Sequence, residues 1–190
     1  APSLPGTHNA ENAATAAAIA LWLGCPRDVI DTAMASFDGL AHRQKTIGMI
    51  EGVRFIDDSK ATNADAAARA MSCHDRMIWI AGGIAKAGGI ADLAPLFDRV
   101  AHAFLIGRDA PELARTLREH DVAHTIVGTL DHAVPAALSA ARAQGVPVVL
   151  LSPACASFAQ FTGFEARGLR FAALVVALAA DTHAPRRDAT

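Results

Sequence analysis

The sequence contains no tyrosine, and aromatic residues make up only 5% of its 190 positions. A platform for stacking single-stranded nucleic acid needs more rings than that. A formal net charge of −2 offers no basic surface to phosphate backbones. Nucleic acid is therefore not an expected partner. Cysteine is scarce as well. Cys25, Cys73 and Cys155 are odd in number and far apart, which argues against a disulfide framework or a CxxC metal site and fits a reducing cytoplasm. No apolar run is long enough to span a bilayer, since the stretch 169–180 is short and carries Arg170. The first residues show neither a basic segment nor an apolar core, so no signal peptide is expected. No GxGxxG string occurs, which weakens any dinucleotide-binding reading.

Hydrophobic residues are abundant at 52% against 19% charged, the balance of a soluble globular protein. The length suits one good domain and part of another. Helical patterns over 9–23 and 26–37 have no strand of their own to pack on. The break Gly39-Leu40-Ala41-His42-Arg43 follows, so a domain boundary is expected near residue 40. This divides the chain into a helical unit 1–40, a domain 41–180 and a disordered tail 181–190.

Beyond residue 40, strands and helices alternate. Residues 46–50 and 53–56 read as a hairpin around Glu51-Gly52. Further strands are expected at 77–81, 103–106, 125–127 and 146–151. Helices are expected at 64–71, 92–100, 111–120, 130–144 and 164–180. Nearly continuous apolar strands separated by helices imply an α/β fold with a mostly parallel sheet covered on both faces. Such sheets bind ligands beyond the carboxyl ends of their strands. Small and polar residues gather at three of those ends: 57–63, 82–89 and 152–157.

The first group, Asp57-Asp58-Ser59-Lys60-Ala61-Thr62-Asn63, lies between a strand and a helix. A helix N-terminus and a lysine suit a charged ligand, and the carboxylates suit a ribose hydroxyl or Mg²⁺. The same residue types also cap helices, so both readings stand. In the second group, Gly82, Gly83, Gly88 and Gly89 let backbone approach a ligand, and Lys86 can pair with a carboxylate or phosphate. An ordinary mobile loop with a solvated lysine is the alternative. The third group contains Ser152, Cys155 and Ser157. Cys155 reads as a small buried residue rather than a nucleophile, because no histidine pairs with it in an obvious motif. His120 and His124 have metal-like spacing but straddle a helix end, so no metal site is expected there. Asn9 and Asn12 share one helix face and can contact one ligand. Arg43 is either a solvated linker residue or a phosphate ligand.

Together these segments resemble the C-terminal part of a Mur ligase. The strings are Pro5-Gly6-Thr7-His8-Asn9-Ala10-Glu11-Asn12, Gly39-Leu40-Ala41-His42-Arg43, Asp58-Ser59-Lys60-Ala61-Thr62-Asn63, Gly82-Gly83 with Lys86, and Ser152-Pro153-Ala154-Cys155-Ala156-Ser157, continued by Gln160-Phe161, Phe164-Glu165 and Arg167-Gly168. They keep the family's order across residues 4 to about 178. The Ser-Lys-Ala-Thr-Asn and Ser-Pro-Ala-Cys-Ala-Ser strings are specific to the D-glutamate-adding branch. The Asp-Asn-Pro-Arg motif of the diaminopimelate- and lysine-adding branch does not occur.

The resemblance implies a Rossmann-like domain preceded by a helical remnant of a central ATPase domain. It implies ATP-dependent amide formation in peptidoglycan precursor synthesis. A substrate carboxylate becomes an acyl phosphate, an amine attacks it, and phosphate leaves. ATP, Mg²⁺, D-glutamate and UDP-N-acetylmuramoyl-L-alanine are the implied cofactors and substrates, in a cytoplasmic enzyme expected to be a monomer. Asn9, Asn12, Arg43, Asp58 and Lys60 match ATP-site positions, with Lys60 and Asp58 as the expected catalytic pair. Thr62, Lys86, Ser157 and Phe164 match the D-glutamate pocket.

The chain departs from the family in places. It has no GxxxxGK[ST] loop, and Gly-Lys occurs nowhere. It is therefore expected to be a fragment that is inactive alone. Ile84-Ala85 stands where relatives carry a more polar or glycine pair, and Ala159 where Asp is usual. Another Mur-type or folylpolyglutamate-type ligase, or a silent binding module of the same fold, are the competing readings.

Overall fold

A strand can be apolar at every position only if both faces of its sheet are covered. Two strands here meet that condition. Met77–Gly82 (β3) and Val148–Leu151 (β6) are buried at every residue. In the computed structural model, which describes residues 6–183, they lie side by side at the centre of a six-stranded sheet. The other elements are α1 (Thr7–Trp22), α2 (Arg27–Ser36), β1 (Lys45–Ile50), β2 (Val53–Asp57), α3 (Ala64–Met71), a 3₁₀ segment (Ala91–Arg99), β4 (Val100–Ile106), α4 (Ala110–Glu119), β5 (His124–Gly128), α5 (Leu130–Gln144) and α6 (Phe164–His183).

The strand order is β1-β2-β6-β3-β4-β5. Only β1 is antiparallel, paired with β2 through a hairpin. Glu51 and Gly52 at its turn both have positive φ, 48° and 82°, the conformation that matches the twist of a two-residue hairpin. The remaining pairs are parallel. From β2 the chain runs outward through β3, β4 and β5. It then returns through α5 to insert β6 between β2 and β3.

Alternation along the strands feeds two cores. Trp79, Leu105 and Leu150 face Met71 of α3, Phe97 of the 3₁₀ segment and Leu113 of α4. Phe55, Ile80 and Val149 face Val134 and Leu138 of α5 and Phe171 and Val175 of α6. The expected mostly parallel sheet with helices on both faces is thus present.

Several boundaries differ from the sequence reading. The expected helix over 92–100 is a 3₁₀ segment containing Pro95. Proline has no N–H to give and crowds the carbonyl four residues back, which disfavours a regular α-helix over this short segment, although the longer α5 runs through Pro135. Val100 opens β4 instead, three residues before the expected strand. Strand β6 starts at Val148 rather than at 146. Pro147 cannot donate to the ladder, although its carbonyl still accepts from Arg54 N–H at 2.9 Å. Residues 181–183 belong to α6 rather than to a disordered tail, and residues 184–190 of that expected tail lie outside the described residues. Among the described residues no helix is long and apolar enough to cross a membrane.

Helices α1 and α2 stand apart from the two cores. α1 buries no residue, and α2 buries only Ile30. Ile19, Leu21, Trp22 and Leu23 at the end of α1 are all exposed, Trp22 at 85%.

Candidate functional site

Because β6 sits between β2 and β3, the segments that follow these three strands are neighbours in space. Several contacts join them. Ile84 and Ala156 exchange backbone hydrogen bonds at 2.8 and 2.9 Å, which ties the 82–89 loop to the 152–157 loop. Gly82 and Gly83 have φ of 122° and 136°, and a Cβ on either would collide with the carbonyl oxygen of Ile106 or Ala156. The sequence reading had these glycines making room for a ligand. They make room for neighbouring backbone instead.

The strongest link comes from Arg167 in α6, which is 1% exposed. Its Nε donates to Ser59 Oγ at 2.9 Å and its Nη2 to Ser59 O at 2.9 Å. Its Nη1 donates to Cys155 O at 3.0 Å and Gly82 O at 3.3 Å. One guanidinium therefore grips all three loops. Burial lowers its pKa to about 10, while the nearby Cys155 and Asp57 act in the opposite direction. The planar fork of arginine suits this multiple grip in a way lysine cannot. Sequence reading gave Arg167 no role. The available signal was its place on a helix face shared with Phe171 and Val175, four and eight residues on, both of which are buried. A cation at a core position needs partners.

The end of β2 is equally well tied. Asp57 is 1% exposed; its Oδ2 lies 2.7 Å from His42 Nδ1, and its Oδ1 accepts from Ser59 N–H at 2.9 Å. Asp58 Oδ1 accepts from Gln44 N–H at 3.2 Å, and its Oδ2 accepts from the Ser152 hydroxyl at 2.8 Å. Burial, the largest cause, pushes the Asp58 carboxyl up to about 7. The Ser152 and Gln44 hydrogen bonds oppose that, Asp57 adds to it, and Arg43 counters it. Each of the four carboxylate oxygens thus has one protein group within hydrogen-bond distance.

His42 and Gln44 adopt positive φ of 61° and 47°, an uncommon conformation for residues with side chains. The bonds to Asp57 and Asp58 hold them there, and His42 O accepts from Lys60 N–H at 3.0 Å. Between them Arg43 is exposed and lines a cavity. His42 was not singled out from the sequence, because its partner lies fifteen residues on and across a turn.

That cavity has a volume of about 760 Å³ and is lined by Asn9 and Asn12 of α1, by Arg43, and by Asp58 and Lys60 beyond β2. Apolar residues of the helices, including Ala13, Ala17, Ile30 and Met34, complete its wall. All five residues expected at an ATP site therefore share one cavity. Lys60 is exposed, with its Nζ 4.0 Å over the Phe164 ring. Asn63 caps α3, its side-chain oxygen accepting from Ala66 N–H at 2.8 Å. The capping residue also lines the cavity.

The other four expected residues do not line this cavity. Phe164 touches Lys60 and packs edge-on against His42 at 6.1 Å. Thr62 is half-buried, and its N–H donates to Lys60 O at 2.8 Å. Ser157 is buried, and Lys86 is exposed on the adjacent loop. No hydrogen bond among the described residues joins these four side chains to one another. Cys155 is fully buried, which pushes its thiol up to about 12; at that value it is not a nucleophile near neutrality. His124 Nδ1 sits 2.7 Å from Val122 O, and the His120 ring packs on Phe97.

Comparison with known proteins shows the family and the fold. Residues 42–155 match the family model described as Mur ligase, glutamate ligase domain. The UDP-N-acetylmuramoylalanine--D-glutamate ligase of Nitrobacter hamburgensis is 55% identical over 178 residues, which is 93% of this chain and 38% of that protein. The proteins of the same name from Rhodospirillum rubrum and Caulobacter vibrioides are each 53% identical, over 93% and 95% of this chain and 37% and 38% of their own lengths. The chain thus spans well under half the length of these relatives. The crystal structure of UDP-N-acetylmuramate-alanine ligase MurC from Thermotoga maritima shares the fold, with a TM-score of 0.63 at 16% identity over 92% of this chain and 39% of that one.

Proposed function

The chain belongs to the Mur ligase family, and from that premise we propose that it supplies part of the site of an ATP-dependent ligase that adds D-glutamate to UDP-N-acetylmuramoyl-L-alanine. The observation that carries this reading is the single cavity shared by Asn9, Asn12, Arg43, Asp58 and Lys60. The names and 52–55% identities of the relatives support the choice of substrates.

In this reading Asn9 and Asn12 offer amide donors and acceptors to the adenine. Arg43 and Lys60 face the phosphates and draw charge off the phosphoryl group as it leaves ATP. Asp58, held at a value near neutrality, accepts from a ribose hydroxyl when ionised and donates when protonated. The muramoyl-alanine carboxylate takes the phosphoryl group and becomes an acyl phosphate. The D-glutamate amine then forms the amide bond, while the carbon–oxygen bond to phosphate breaks and phosphate carries away the electron pair. Lys86, Thr62, Ser157 and Phe164 receive D-glutamate, with the lysine and the two hydroxyls matched to its carboxylates. Magnesium fits this scheme as the counter-ion that ATP brings. The enzyme is proposed to act in the cytoplasm as a monomer.

The test is phosphate release by the full gene product. Release that needs ATP, UDP-N-acetylmuramoyl-L-alanine and D-glutamate together is the expected result. Release that prefers another amino acid, or no release at all, overturns the reading.

A further inference from the structure

The Asp58 carboxylate belongs to the nucleotide cavity, yet one of its two donors comes from the loop on the other side of β6. Ser152 is the first residue beyond β6 and is fully buried. Its hydroxyl donates to Asp58 Oδ2 at 2.8 Å, ninety-four residues away in sequence. Its carbonyl accepts from the Trp79 indole N–H at 2.8 Å, and Trp79 is itself fully buried in the core. Ser152 is therefore fixed on one side by the core and fixes Asp58 on the other. Five residues later the same loop carries Ser157.

We propose that Ser152 is a positioning residue: its hydroxyl orients the Asp58 carboxylate into the nucleotide cavity and ties that carboxylate to the loop that carries Ser157. The link to nucleotide binding rests on the proposed ligase function, while the orientation of Asp58 does not. A serine at a strand end with no such duty satisfies its own backbone or meets water. This one has no exposure and gives its single proton to a buried carboxylate. The other donor to Asp58, Gln44 N–H, is longer at 3.2 Å and reaches the opposite oxygen. Ser152 alone therefore settles the position of Oδ2.

The charged and titratable groups facing Asp58 are Asp57 from β2, Arg43 from the preceding loop and Cys73 from the end of α3. None of them changes when the Ser152 hydroxyl is removed. The test uses Ser152→Ala in the 190-residue chain, with the Asp58 carboxyl carbon followed by NMR across pH and folding checked by thermal melting. Losing a donor to the charged form moves the Asp58 midpoint upward by about one pH unit. Ser152→Thr keeps the hydroxyl and is expected to titrate as wild type does. A serine that only packs would leave the midpoint where it is in Ser152→Ala, and that result, or a Thr variant displaced like the Ala variant, overturns the proposal. In the full gene product, Ser152→Ala is expected to raise the KM for ATP at least about fivefold while the KM for D-glutamate stays within about twofold. Equal rises in both overturn the specific link to Asp58. A wild-type gene product without ligase activity would defeat the proposed function, while the carboxyl titration would still decide the role of Ser152.

Discussion

Replacing Asp58 by Asn tests the electrostatics of the site through stability alone. The carboxyl is 6% exposed, and burial carries it from 3.8 to about 7. A carboxyl raised in the folded state holds its proton there after the unfolded chain has lost its own. Between about pH 4 and pH 7 the native state therefore binds more protons, and stability falls as pH rises through that window. About three units at 1.36 kcal/mol each sets an upper bound of about 4 kcal/mol on the loss. In Asp58→Asn the amide oxygen still accepts from Gln44 N–H, and the amide nitrogen donates to Ser152 Oγ, so packing and hydrogen bonding persist without the charge. The expected result is an unfolding free energy for wild type that drops, relative to the variant, from pH 5 to pH 8. Urea unfolding at half-unit pH steps measures this. Histidines titrating in the same window contribute to both proteins and cancel in the difference. Parallel profiles for the two proteins would refute the assignment of a raised pKa to Asp58.

Arg167→Lys keeps the charge but loses the fork, leaving Ser59 O or Cys155 O unpaired in the interior. Denaturant unfolding should show a loss of about 3 kcal/mol or more, and a lysine as stable as the arginine would contradict the three-loop grip. Gly82→Ala forces a Cβ against Ile106 O at a φ of 122°, so a melting temperature lowered by several degrees is expected, about 2 kcal/mol or more; an unchanged melt would mean the strand end yields freely. In the full gene product, Lys86→Ala should raise the KM for D-glutamate with the KM for ATP unchanged, and steady-state kinetics showing the reverse split would reassign Lys86.

Local chemistry made much of this legible before any coordinates. The expected bounds 64–71 and 130–144 match the structure, where Asn63 caps one helix and Gly145 ends the other in the left-handed conformation. The grouping of Asn9, Asn12, Arg43, Asp58 and Lys60 is what the resemblance of their strings to a Mur ligase implies, and the five line one cavity. The 3₁₀ segment was misread because a helical apolar period survives Pro95 although the α hydrogen bonds do not. The partners of Arg167, His42 and Ser152 are not legible in the sequence for a different reason. Each acts through a partner fixed only when the sheet is assembled: Ser59 is 108 residues from Arg167, and Asp58 is 94 from Ser152. No local period encodes such a pair.

That separation has a physical consequence. The 57–63 loop lies early in the chain, at the end of β2, but its anchors arrive with β6 and α6. Closing loops of about a hundred residues costs chain entropy that only the completed sheet offsets. Arg167 cannot find Ser59 O, Cys155 O and Gly82 O together until β6 lies between β2 and β3, since those acceptors sit at the ends of these three strands. The site and the central strand therefore form in one step. Perturbing α6 at Arg167 should loosen the 57–63, 82–89 and 152–157 segments together, and hydrogen exchange that protected one of them while the others opened would contradict that coupling.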